Sequence, residues 1–259
     1  MKSKLKIVKI GGNLIDDPIS LDKALNDFSS ISGNKILIHG GGKLASEMSR
    51  KLGLEPKMSG GRRITTAQDL EIVTMVYAGL INKQIVANLQ SLDCNALGLT
   101  GADANCIASE KRPVCEIDFG FAGDIKKVNS LIIDGFLKQG LVPVFCAITH
   151  DQTGQLLNTN ADTIASMLAA AMSQYYETEL DFCFEKKGVL QDVEDSDSVI
   201  SVIDSKLYNQ LVEEERVHSG MLPKLQMGFD ALKNDVSSVI IGDAGIINGT
   251  CELCTKLIL

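Results

Sequence analysis

Histidine is scarce in this sequence, with 3 in 259 residues, and no run of apolar residues approaches the length of a bilayer crossing. A membrane-spanning helix needs about 20 consecutive apolar residues, so no such span is expected. At the N-terminus, Met1-Lys2-Ser3-Lys4-Leu5-Lys6-Ile7-Val8-Lys9-Ile10, charges interrupt the apolar residues. That is not the unbroken apolar core of a secretion signal, and a cytoplasmic location is the expectation. The seven cysteines are odd in number and scattered, several of them in apolar runs such as Val144-Phe145-Cys146-Ala147. They read as reduced interior thiols, not as a disulfide framework. Cys251-Glu252-Leu253-Cys254 is a lone C-x-x-C pair with no histidine beside it, so no zinc site is expected there. Internal repeats, low-complexity tracts and obvious linkers are missing.

What is present is ordinary globular composition, 45% hydrophobic and 22% charged. The length suits one large domain or two lobes. The net charge of −8 argues against general binding to nucleic acid or to membrane surfaces. It leaves room for an anionic small molecule, because a few local cations can dominate a site.

Short apolar runs alternate with helical patterns along the chain. Leu5–Ile10, Lys35–His39, Ala96–Thr100, Cys106–Ser109, Leu141–Thr149, Leu180–Phe184, Ser237–Ile241 and Thr255–Leu259 read as strands. Lys43–Leu52, Thr66–Leu92, Val128–Gln139, Asn160–Ser173, Ser205–Val217 and Met221–Lys233 read as helices, the last with an apolar Met/Leu stripe that reads as core. His150–Gly154 reads as a hairpin tip returning through Gln155–Asn158. This alternation predicts an α/β fold with a mainly parallel sheet covered on both faces.

Two predicted strands end in glycines, Gly11-Gly12 and Gly40-Gly41-Gly42, and the second leads into a helix. Open α/β sheets bind ligands beyond the carboxyl ends of their strands, and glycines let backbone N–H groups approach oxyanions. Two such loops on one sheet edge point to a polyphosphate. Each loop alone is most often a plain turn. Rival motifs fail. Gly42-Lys43 is followed by Leu44 and position 37 is Leu37, which excludes a Walker A loop. Lys43, Leu44 and Ala45 after the triple glycine exclude the dinucleotide fingerprint. His39-Gly40-Gly41-Gly42 is like the oxyanion loop of α/β-hydrolases, but the chain has no G-x-S-x-G elbow.

At this point the residues resemble the amino acid kinase family, and within it the members that phosphorylate N-acetylglutamate. Lys9-Ile10-Gly11-Gly12-Asn13 is similar to the opening K-x-G-G loop and His39–Gly42 to the second glycine loop. Gly61-Arg62-Arg63-Ile64-Thr65 is similar to the substrate-binding G-x-R-[VI]-T segment, and Leu97–Asp103 to a G-L-[TS]-G-x-D hairpin. Asn158-Thr159-Asn160-Ala161-Asp162 matches N-x-N-A-D, and Ser219-Gly220-Met221-Leu222-Pro223-Lys224 resembles G-G-M-x-x-K with a serine in first place. The six segments keep the family's order over almost the whole chain.

The resemblance implies a three-layer αβα sandwich of the amino acid kinase (carbamate kinase-like) type, a single domain over residues 1–259. Its N-terminal lobe, 1–173, would bind the N-acylglutamate and dimerise, and its C-terminal lobe, 174–259, would bind ATP. It implies transfer of phosphate from ATP to the γ-carboxylate of N-acetyl-L-glutamate, or of another N-acyl-L-glutamate such as N-succinyl, in arginine biosynthesis. Lys9 and Lys224 would stabilise the transferring phosphoryl group and Asp162 would orient both. Gly11 and Gly12 would donate N–H groups to phosphate. Gly41, Gly42, Arg63, Asn158 and Asn160 would bind the acylglutamate, with Arg63 on its α-carboxylate. Mg²⁺ would be held mainly by phosphates and water. The acceptor carboxylate is ionised at neutral pH, so the shortage of histidine is no obstacle. Phosphoryl transfer asks for positioning and charge neutralisation more than for covalent help.

Bland readings stand beside these. Lys9 at a strand end could be solvated, Asp162 could be a first-turn acid, and Asn158 and Asn160 could be turn and cap residues. His150 and His218 read as loop residues. Lys224 near a helix start is disfavoured by the helix dipole, which points to a role outside helix stability.

The chain departs from the family in two places. The usual [TS]-D-V-x-G-[VI] after a strand is replaced by Phe184-Glu185-Lys186-Lys187-Gly188-Val189, so Glu185, Lys186, Lys187 and Gly188 form an altered nucleotide loop whose lysines are candidates for phosphate contact. Arg62 adds a second cation beside Arg63, which suits a carboxylated acyl group. A homodimer without strong arginine feedback is expected, with Thr66–Leu92 as the candidate dimer face. The alternatives are a non-catalytic metabolite sensor on the same scaffold, a carbamate kinase-like, aspartokinase or uridylate kinase member, and a dinucleotide oxidoreductase. The first is disfavoured by the retained Lys9, Asp162 and Lys224, and the last by the failed fingerprint.

Overall fold

Side-chain alternation in the first strand, Ser3–Ile10, sets the plan of the molecule. Every residue from Ile7 to Ile10 is buried, so both faces of this strand are covered. In the computed structural model, which describes residues 2–192, 194–214 and 221–259, the strand lies inside an eight-stranded sheet. From edge to edge the order is Val202–Ile203, Thr255–Leu257, Ser238–Gly242, Tyr176–Cys183, Ser3–Ile10, Asn34–His39, Val142–Phe145 and Ala96–Leu99. All neighbouring pairs are parallel except Ser238–Gly242 with Thr255–Leu257. The α/β class with a mainly parallel central sheet is therefore as expected.

Two groups of helices pack on the sheet. Ala161–Met172 touches Ser3–Ile10, Asn34–His39 and Tyr176–Cys183, and is flanked by Ser130–Lys138 and Leu222–Lys233. Pro18–Ser30, Asn82–Ser91 and Gly245–Asn248 form the other group. The first strand joins the two. Lys9 reaches the helix Ala161–Met172, whereas Lys6, of opposite parity, reaches the carbonyl of Ile246. A second sheet of four strands, ordered Leu156–Asn158, Ile148–His150, Ile107–Lys111 and Gly123–Val128, and a hairpin of Lys57–Ser59 with Arg62–Ile64 complete the strands seen among the described residues.

Several expectations need correction. Leu141–Thr149 is not one strand: Val142–Phe145 lies in the central sheet and Ile148–His150 in the second. The break falls at Cys146 and Ala147, whose backbone groups bond Leu99 and Thr159, and a hydropathy pattern cannot see it because both halves are buried. Leu97–Asp103 is not part of a hairpin. Its glycine turn carries the chain from one sheet to the other, with the Gly101 N–H donated to Ile148. The helix placed at Val128 begins at Ser130, after an unforeseen strand, Gly123–Val128. Pro18–Ser30, capped by the Asp17 side chain, was also unforeseen. The helix Ser205–Glu213 ends before the expected Val217, which lies outside the described residues, as do His218, Ser219 and Gly220.

Thr66–Leu92 is one helical run, started by a capping box of Thr66 and Asp69, with a π-helical turn at Met75–Ile81 between two α-helical halves. By length and composition it could cross a membrane. It buries Leu70, Val73, Val76, Tyr77, Ile81, Ile85 and Leu89 in the core, as an interior helix does.

Candidate active site

Lys9 stands one residue before the end of the first strand. Asp162 lies in the first turn of Ala161–Met172, whose N-terminus is capped by Asn160 Oδ1 accepting the Thr163 N–H at 3.0 Å. Lys224 lies in the first turn of Leu222–Lys233, started by Pro223. The three side chains meet. Lys9 Nζ is 2.7 Å from Asp162 Oδ1, and Lys224 Nζ is 2.8 Å from Asp162 Oδ2. Burial alone would push the Asp162 carboxyl up, but the two ammonium groups outweigh it and hold it down at about 2. One carboxylate therefore holds two cations at the end of the sheet, leaving a local excess of positive charge.

Two cavities open on either side of the first glycine loop, and Lys9 and Asp162 line the smaller of them. The smaller, about 230 Å³, is lined by Lys9, Gly12, Gly40, Gly41, Gly42, Arg62, Arg63, Tyr77, Arg112, Asn158, Thr159, Asn160 and Asp162, among others. The larger, about 530 Å³, is lined by Asn13, Leu14, Lys23, Phe184, Glu185, Lys187, Asp243, Ala244, Gly245 and Thr250–Leu253. The first glycine loop stands between them: Gly12 faces the smaller cavity, Asn13 and Leu14 the larger. Both open at the carboxyl ends of parallel strands, where such sheets bind ligands.

The smaller cavity is built for an anion. Arg63 is nearly buried. Its Nη2 donates to Gly42 O at 3.0 Å and to Ser46 Oγ at 2.6 Å, while Nη1 is buried without a partner. An orphan guanidinium donor is costly unless a ligand completes it, and a carboxylate fits the fork. Asn158 Nδ2 donates to Thr65 Oγ1, which orients its amide. Arg62 and Arg112 add charge at the same cavity. Burial and then the Arg112 charge lower the pKa of Arg62, and Arg112 is paired with Asp124.

Most of the sequence-predicted residues are therefore brought together. Gly11 differs: its N–H is donated to Cys183 O at 2.8 Å, so it serves the sheet and is not free for a phosphate. In the altered loop, Glu185 and Lys187 line the larger cavity. Lys187 also pairs with Asp197. Gly188 packs where a Cβ would lie 2.7 Å from Thr255 Oγ1, a structural reason for glycine there. The C-x-x-C cysteines are free thiols, and Cys251 lines the larger cavity. Among the described residues no group of three or more His, Cys, Asp or Glu side chains could hold a metal. The sequence reading missed Tyr77, Arg112 and the wall from Asp243 to Leu253. The last carried a signal, since Ile241-Gly242-Asp243-Ala244-Gly245 is a third strand ending in glycines.

A parallel sheet with glycine loops at its carboxyl edge, two cavities parted by the first of those loops, and a lysine–aspartate–lysine cluster whose Lys9 and Asp162 line the smaller cavity define a phosphotransferase scaffold, and the chain belongs to the amino acid kinase family, whose model matches residues 4–243. Among curated proteins it is similar to the acetylglutamate kinase of Cytophaga hutchinsonii, 53% identical over 98% of both chains. It is also similar to the acetylglutamate kinase of Parabacteroides distasonis, 50% identical over 95% of this chain and 96% of that one. Among solved structures it resembles N-acetylglutamate synthase from Neisseria gonorrhoeae, with a TM-score of 0.85 at 18% identity, over 100% of this chain and 60% of that one. Carbamate kinase from Giardia lamblia gives a TM-score of 0.68 at 14% identity over 99% and 98%. At these identities the structural likenesses speak for the fold.

Proposed function

We propose that this protein is an acetylglutamate kinase, transferring the terminal phosphoryl group of ATP to the γ-carboxylate of an N-acylated L-glutamate in arginine biosynthesis. The observation that carries the reading is the Lys9–Asp162–Lys224 cluster at the glycine loop that separates the two cavities. ATP occupies the larger cavity and the acylglutamate the smaller. A γ-carboxylate oxygen attacks the terminal phosphorus, the bond to the β-phosphate's bridging oxygen breaks, and ADP leaves with that electron pair. No proton need move, so no general base is required. Lys9 and Lys224 neutralise the charge spread over the phosphoryl oxygens, and Asp162 fixes both ammonium groups in advance. Gly12, Gly41 and Gly42 supply backbone N–H groups. Arg63 receives the α-carboxylate, aided by Asn158, while Asn160 acts mainly as the helix cap. Mg²⁺ would be held mainly by the nucleotide's phosphates and water and would supply further charge neutralisation, since Asp162 is already engaged by two lysines.

The same reading assigns residues 1–173 to the acylglutamate and to dimerisation, and 174–259 to ATP, with a homodimer as the assembly. Size-exclusion chromatography with light scattering tests the assembly. A second reading concerns the acyl group alone. Arg62 and Arg112 at the acylglutamate cavity favour an acyl chain that carries its own carboxylate, such as succinyl. Hydroxamate trapping of the acyl phosphate with N-acetyl- and N-succinyl-L-glutamate side by side tests both. Product from neither would reject the kinase reading, and a large preference for acetyl would reject the carboxylated chain.

A further inference from the structure

His39 precedes the second glycine loop, and nothing in the proposed chemistry uses it. It is wholly buried. Its Nδ1 lies 2.9 Å from the carbonyl oxygen of Gly40, which can only accept, so Nδ1 carries the hydrogen. Its Nε2 lies 3.0 Å from Asn82 Nδ2. The orientation of that amide is fixed independently: Nδ2 also donates to Val144 O at 3.0 Å, and Oδ1 accepts from Lys83 Nζ at 3.1 Å. Nε2 is therefore the acceptor. Burial, reinforced by the Lys83 charge and opposed by the bond to Gly40, pulls the imidazole pKa down to about 4, and the ring is neutral in ordinary buffers. Gly98 leaves room for this arrangement, since a Cβ there would lie 2.1 Å from Asn82 Oδ1.

The bond to Gly40 has a consequence one atom along the chain. The peptide joining Gly40 and Gly41 is planar and trans, so its C=O and N–H point in opposite directions. A carbonyl held toward the buried imidazole turns the Gly41 N–H the other way. Gly41 is fixed from behind as well. Its φ is +146°, and Ile81 packs so closely that an added Cβ would lie 2.2 Å from Ile81 Cδ1. Ile81 and Asn82 adjoin each other where the π-helical turn ends, so one helix break supplies both supports.

We propose that His39, locked by Asn82 as its Nδ1–H tautomer, is a positioning residue that aims the Gly41 N–H into the reaction cavity. This rests on the kinase reading for what the N–H meets there, namely the oxygens between acceptor carboxylate and terminal phosphate. The role asks for a neutral ring with one defined hydrogen, which an alkyl side chain or a charged one cannot supply.

Two variants separate the two ring nitrogens. His39→Asn places an amide donor near the Nδ1 position, and His39→Gln places an amide near Nε2. Removal of an oriented donor from a developing charge costs about 10²–10³-fold in kcat, and a donor that is retained but no longer aimed loses part of that, on the order of 10–10²-fold. His39→Gln is expected to lose that much, with both KM values within about threefold of wild type, while His39→Asn stays within about fivefold in kcat. Wild-type kcat in His39→Gln, or a loss confined to Tm, would overturn the proposal. Nitrogen-15 NMR of histidine-labelled wild-type protein reads the ring directly. A protonated Nδ1 and bare Nε2, unchanged from pH 8 to pH 6, is expected, and the opposite tautomer would overturn it. An inactive wild-type chain would instead sink the kinase reading, while the NMR result still decides the tautomer.

Discussion

Lys9 and Lys224 contact opposite oxygens of one carboxylate, Asp162, at 2.7 and 2.8 Å, although one comes from the first strand and the other from a helix near the C-terminus. The arrangement fixes the distance between two cations before any ligand arrives, and it makes the site's charge depend on a single acid.

Replacing that acid tests the arrangement. Asp162→Asn keeps the shape but leaves the buried Lys9 ammonium and the half-buried Lys224 ammonium without their counter-charge. Loss of one preorganised charge partner costs about 10²–10³-fold in kcat. ADP release under saturating substrates is expected to fall by that much, with far-UV circular dichroism unchanged.

The acid limb of stability follows from the same group. The Asp162 carboxyl sits at about 2 in the folded protein, against an ordinary value near 3.8. Between those values the unfolded chain binds more protons than the folded one, so stability falls with falling pH. The contribution is complete above about pH 4 and lost as pH drops toward 2. In acid titrations followed by circular dichroism, Asp162→Asn should lack this component.

Asp181 behaves in the opposite sense. It is fully buried, and burial raises its pKa to about 7 despite the Lys6 ammonium 2.9 Å away. Between about pH 4 and pH 7 the folded state holds the extra proton, so raising pH through this window costs stability. Asp181→Asn is expected to raise Tm at pH 8 and to change it little at pH 5. Calorimetry at the two pH values checks this, and equal shifts at both would contradict it.

Arg63→Lys preserves charge but removes the fork and the donor now left unpaired. KM for the acylglutamate should rise about tenfold or more, with KM for ATP unchanged. Initial-rate kinetics with each substrate varied in turn separate the two.

The altered nucleotide loop gives a paired test. Lys187 lines the larger cavity, whereas Lys186 is absent from its wall. Lys187→Ala should raise KM for ATP a few-fold, and Lys186→Ala should leave it unchanged. Equal effects would show that the loop acts through net charge and not through contact.

Much of the plan was legible in the sequence because it rests on local chemistry. Alternation of buried strands with helical stripes gave the parallel sheet, and glycines after strands marked the ligand edge. The bearers of charge at the site, Lys9, Arg63, Asp162 and Lys224, stood out because the ordered motifs resemble those of a known family. Gly11 shows the limit: its place in the motif was right, yet its N–H is committed to Cys183 on the neighbouring strand. The break of Leu141–Thr149 into two sheets was hidden for a related reason, since residues buried on every side have no period to read.

The class of fold, most of the order of its elements and the residue types the chemistry needs were written in the local pattern of the chain. Which of them meet, which hydrogen bonds were already spent, and the standing of a glycine loop between two cavities came from the packing of the folded molecule. Those outcomes depend on how distant segments pack. A buried donor or carboxylate is governed by the partners it finds across the fold, and not by its neighbours along the chain.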